Sequence, residues 1–105
     1  MKLVEYNRKE ISSGSTFRFK SEGFPFVEDY VDFMLVDCPF VGDDNAPFAV
    51  YCISGYCAGN LECVLPSEAQ HKNSRTVDKD WLIKNWNKWI YSCPVEEVEI
   101  ITYWS

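Results

Sequence analysis

Apolar and basic side chains alternate along Thr16-Phe17-Arg18-Phe19-Lys20, and a period of two fits a strand with one face buried. The pattern returns between Asp29 and Cys38. There Val31, Phe33, Leu35 and Asp37 fall on one face, and Tyr30, Asp32, Met34 and Val36 on the other. Phe48–Ser54 and Asn60–Leu65 read as two more strands, joined across Gly55-Tyr56-Cys57-Ala58-Gly59 at the spacing of a β-hairpin. A hairpin centred on Cys57-Ala58 sets Cys52 opposite Cys63. Gly23 and Pro25 break the first pattern, and Pro39 with Gly42-Asp43-Asp44-Asn45 makes a loop after the second.

One segment has a helical period. Leu82, Ile83, Trp86, Trp89 and Ile90 recur on one face between about Asp78 and Tyr91. Asp78 suits the N-cap and Asp80 the positive end of the helix dipole. Pro94 forbids a longer helix, and Val95, Val98, Ile100, Thr102 and Trp104 suggest a final strand. Ser67–Thr76 is polar and reads as a loop. The expected fold class is α+β: an antiparallel sheet of about five strands with one Trp-rich helix packed on a face. Trp86 and Trp89 are assigned to the core. Trp81, in the first turn, suits either a protein-interface anchor or a cover for the sheet edge.

A chain of 105 residues suits a single domain with a core of its own. Residues 1–14 read as a flexible charged leader. No stretch has the ~20 apolar residues of a membrane span, and the N-terminus lacks the apolar run of a signal peptide. Five cysteines, an odd number, fit reduced thiols in a cytoplasmic protein better than a disulfide framework.

The charge is segregated. Residues 21–71 contain no lysine or arginine but nine acids: Glu22, Glu28, Asp29, Asp32, Asp37, Asp43, Asp44, Glu62 and Glu68. Residues 1–20 carry five bases against two acids, and residues 72–105 balance five against five. The formal charge of −6 therefore arises in one block. Such a surface repels nucleic acid and anionic membrane and attracts a partner with a positive face.

Three constellations with chemical potential are weak. Cys52, Cys57, Cys63 and His71 lack the Cys-x-x-Cys knuckle of structural zinc sites. A cysteine nucleophile would have to use His71, the one histidine, which sits in a polar loop. The adjacent acids Glu28-Asp29 and Asp43-Asp44 lack the ligand ladder of a calcium loop. Phosphate-loop, nucleophile-elbow and dinucleotide motifs are absent. The sequence thus assigns no catalytic residue, metal or cofactor.

Several segments together resemble the bacterial immunity protein 45 family. They are Phe17-Arg18-Phe19, Gly23-Phe24-Pro25-Phe26, Asp29-Tyr30-Val31-Asp32-Phe33, Ser54–Gly59, Val64–Ala69, Trp81–Tyr91 and Cys93-Pro94-Val95-Glu96-Glu97-Val98. The Trp-rich helix with its following Cys-Pro-Val-Glu is the most specific piece. The resemblance covers most of residues 15–100 and leaves the leader aside. It implies a cytoplasmic bacterial protein, without enzymatic activity, that neutralises the C-terminal domain of a polymorphic toxin, including toxins of contact-dependent growth inhibition.

The acidic block independently favours a basic target such as a nuclease toxin. The alternatives are an acidic nucleic-acid mimic that blocks another DNA- or RNA-binding protein, and a small enzyme using a cysteine or carboxylates. For partner binding the sequence nominates Asp43 and Asp44 first, then Glu28, Asp29, Asp32, Asp37 and Trp81.

Overall fold

The alternating runs pair into one antiparallel sheet. A computed structural model describes residues 1–20, 30–37, 48–54, 58–71, 75–91 and 93–102. Its strands are β1 (Glu10–Ile11), β2 (Thr16–Lys20), β3 (Tyr30–Asp37), β4 (Phe48–Cys52), β5 (Leu61–Leu65), β6 (Val77–Asp78) and β7 (Glu99–Ile101), with the helix α1 (Lys79–Trp89) between β6 and β7. The main sheet has five strands in the order β5-β4-β3-β2-β7, and β1 pairs with β6 in a second, two-stranded ladder. The expected α+β class holds.

Register fixes which residues enter the core. Phe17 faces Phe33 and Ile100, Phe19 faces Val31, and Leu35 faces Val50. Side chains of cross-strand partners share a face, so these residues form one apolar layer, and all are buried. The helix lies on this layer. Asp78 caps it by accepting the Trp81 amide proton at 3.0 Å. Leu82 and Trp86 are its buried residues. The Trp86 ring meets Phe17 and Phe19 edge-on, at centroid separations of 5.5 and 6.0 Å, an arrangement favoured by the aromatic quadrupole. Trp89 is half-buried, at the margin of the core rather than inside it.

The hairpin register departs from the expected one. Tyr51 faces Leu61, a bulge follows, and Val50 faces Cys63. Cys52 instead turns its backbone to the hairpin end, donating to the Asn60 carbonyl at 2.9 Å and accepting from the Gly59 amide at 2.7 Å. Gly59 has φ of 90°, a conformation that costs a residue with Cβ more than glycine. Cys63 therefore stands opposite Val50 rather than Cys52. Cys52, Cys63 and Cys93 are all free thiols; Cys38 and Cys57 lie outside the described residues.

The C-terminal segment is less regular than one long strand. Val95–Glu97 forms a 3-10 turn, closed by the Val98 amide on the Val95 carbonyl at 3.1 Å, and only Glu99–Ile101 joins the sheet. Pro94 starts this turn with φ of −62°. The expected loop at 67–76 also holds local structure, a 3-10 turn over Ser67–Ala69 that buries Ala69. Trp104 lies outside the described residues.

The leader, which the sequence suggests is flexible, contributes to the packed structure. Leu3 and Ile11 are 0% exposed and belong to the same core cluster as Trp86. Ile11 pairs with Val77 through β1 and β6, and the Lys79 amine donates to the Tyr6 carbonyl at 2.7 Å. Two isolated apolar residues in a charged segment give no periodic signal, so this anchoring is invisible to pattern reading.

Candidate partner-binding surface

Two of the acids nominated from sequence lie on β3, and both are engaged within the chain. Asp32 faces Arg18 across the β2–β3 ladder. The guanidinium grips it with two bonds, Nε to Oδ1 at 2.8 Å and Nη2 to Oδ2 at 3.0 Å. Asp37 holds Arg75, with Nε on Oδ2 at 3.0 Å and Nη2 beside Oδ1 at 2.9 Å. Bases from outside the acidic block thereby neutralise part of it. Surface pairs of this kind add little stability, but they fix side chains and reduce the charge left for a partner. Glu28, Asp29, Asp43 and Asp44 lie outside the described residues.

Trp81 is half-buried against the core and sits 6.3 Å from Trp89 between ring centroids, tilted by 45°. Its carbonyl accepts from the Asn85 amide group at 2.9 Å. These contacts give it a packing role and leave part of the ring accessible.

His71 does not face a described cysteine as a hydrogen-bonding partner. Its Nδ1 is 3.0 Å from Oδ2 of Asp78, so it buttresses the helix cap. The Trp81 amide holds the Asp78 carboxyl below its ordinary value of 3.8; burial pushes the other way, and His71 and the Asp80 amide add smaller pulls downward. The Cys63 thiol is pushed up to about 12, first by burial and then by the charge of Glu62. It therefore stays protonated at neutral pH, the opposite of an activated nucleophile. Among the described residues, no group of three or more histidines, cysteines and acids converges as a metal site.

Two open hollows flank the leader. One, of about 520 Å³, lies between Met1, Tyr6, Asn7, Arg8 and the β7 end at Ile100–Thr102. The other, of about 490 Å³, is lined by Tyr6, Arg8, Lys9, Glu10, Ser12, His71 and Thr76. Arg8 lines both, and Lys9 the second.

Glu62 was not singled out by the sequence. It is half-buried on β5, and burial raises its pKa above the ordinary value of 4.5. Only its membership of the acidic block pointed to it; its position beside a bulge on the sheet edge comes from the fold.

A five-stranded antiparallel sheet carrying one helix makes this a small α+β protein. The family is more specific. The model of immunity protein 45 matches residues 3–100, and the chain belongs to this family. The match includes most of the leader, in keeping with the core positions of Leu3 and Ile11. No curated protein and no solved structure matches the chain.

Proposed function

We propose that this chain acts in the bacterial cytoplasm as a single-domain immunity protein that binds the C-terminal domain of its cognate toxin and blocks it. Membership of the immunity protein 45 family over residues 3–100 carries this reading. No helix among the described residues is long and apolar enough to cross a membrane. The toxin is a basic nuclease of the kind delivered by contact-dependent inhibition. The support is the block of nine acids without a base at residues 21–71, which suits a surface that grips phosphate and accelerates association with it. Neutralisation is by binding, with no catalytic step and no cofactor. Nucleic acid and membrane are not partners.

The acids at Asp43-Asp44 lead the recognition surface, with Glu28-Asp29 and Trp81 as further contributors. Asp32 and Asp37 contribute less because Arg18 and Arg75 already hold them. The test is reconstitution with the C-terminal domain encoded by the adjacent upstream gene. The two should form a stoichiometric complex, and co-expression should restore growth of cells producing the toxin. Undiminished toxicity on co-expression would sink the reading.

A further inference from the structure

The two edges of the main sheet are finished differently. Along β7 the leader supplies a cover: Leu3 donates to the Val98 carbonyl at 2.8 Å, Ile100 donates to the Met1 carbonyl at 2.9 Å, and Lys2 bridges Glu99. At the opposite edge β5 ends the sheet. No hydrogen bond among the described residues reaches its outer side. An open edge presents alternate amides and carbonyls to any extended chain that approaches.

Glu62 stands on this edge, next to the irregularity that shifts the β4–β5 register. Its carboxylate has no hydrogen-bond or ion-pair partner among the described residues, and burial pushes its pKa up. A carboxylate partly withdrawn from water and left unneutralised is unfavourable unless a cation meets it. The chain supplies none nearby in sequence, since residues 21–71 hold no lysine or arginine. Leu61, 43% exposed, adds an apolar contact beside it.

We propose that the toxin domain docks on β5 by adding an extended segment to the sheet, with a lysine or arginine of that segment meeting Glu62. This rests on the immunity reading above and adds the β5 edge to the acids at Asp43-Asp44 as a second part of the contact. An added strand lies about 4.8 Å from the edge. Its main chain supplies binding, while side chains at alternate positions supply specificity. A second copy of this chain is the wrong occupant. Pairing two β5 strands would bring two Glu62 carboxylates to one short edge, and like charges across a ladder repel. The features that discourage self-pairing thus select a basic partner.

The test uses the full chain and the C-terminal toxin domain encoded by the adjacent upstream gene. Hydrogen exchange should show amides within residues 61–65 gaining protection in the complex. Glu62→Arg should weaken affinity at least about tenfold, and Glu62→Gln by less. Circular dichroism and thermal melts confirm that each variant is folded. If Glu62→Arg does not fold, Glu62→Gln and exchange in the unaltered chain carry the test. A complex that leaves exchange at 61–65 unchanged, and binds the Glu62 variants as tightly, overturns the docking surface while the immunity reading stands. Glu62→Gln that dimerises yet keeps its toxin affinity also overturns it, because Glu62 then only guards the edge. No complex with the unaltered chain overturns the immunity reading itself, and the docking surface with it.

Discussion

The indole Nε1 of Trp86 donates to the thiol sulfur of Cys93 at 3.3 Å inside the core. The bond ties α1 to the chain segment that leads into β7. Removing the whole indole leaves a cavity against Phe17 and Phe19, so Trp86→Ala should cost about 3–5 kcal/mol. Trp81→Ala should cost clearly less, since that ring is only half-buried. Thermal melts of the two variants check this, and a larger loss for Trp81 contradicts the assigned packing.

Cys93→Ala removes the acceptor and leaves the indole N–H buried. A loss of about 1–3 kcal/mol is expected. Urea unfolding measures it, and an unchanged midpoint means that the sulfur contact contributes nothing.

Asp78 links the helix cap to pH. Its carboxyl is depressed in the folded chain, so its contribution to stability is present above the ordinary value of 3.8 and is lost as pH falls through the lower, folded value. Asp78→Ala should cost about 1 kcal/mol at neutral pH. Asp78→Asn keeps a capping oxygen but loses the charge. The stability gap between Asp78→Asn and the unaltered chain should therefore shrink in acid. Denaturant titrations across pH 2–7 read that gap, and a gap independent of pH excludes the linkage.

These expectations divide by how local their causes are. The helix was legible because Asp78, the apolar period and Pro94 lie within one short window. The strands were legible from alternation, as at Thr16–Lys20. The hairpin register was not, because a bulge moved Cys63 opposite Val50, and nothing in a strand's composition announces a bulge. Asp32 and Asp37 looked like free acids. Their arginines are 14 and 38 residues away in sequence, and no local pattern marks such pairs. Glu62 looked like any other member of the acidic block until the sheet order put it on an edge.

The Cys63 thiol, pushed up to about 12 from an ordinary 9.0, should react with iodoacetamide at neutral pH at least about tenfold more slowly than free cysteine. Glu62→Gln removes the lesser of the two causes and should speed the reaction. Mass spectrometry of timed alkylation follows the site. Reaction at the rate of free cysteine would show that the thiol is not shielded.

Reversing the proposed recognition acids, Asp43→Lys with Asp44→Lys, should slow toxin association and flatten its salt dependence. The same reversal at Glu96 and Glu97, in the charge-balanced C-terminal region, should do less. Stopped-flow binding at low and high salt compares them. Equal effects would mean that net charge alone governs the encounter.

The leader's place along β7 also sets an order of events during synthesis. Met1–Leu3 are made long before their sheet partners, Val98–Ile100. Leu3 therefore waits for the synthesis of residue 98 before that edge can close, and contacts of such long sequence separation slow folding. A nascent chain stalled short of residue 98 would hold Met1–Leu3 without their partner strand, leaving Leu3 for ribosome-associated chaperones to shield.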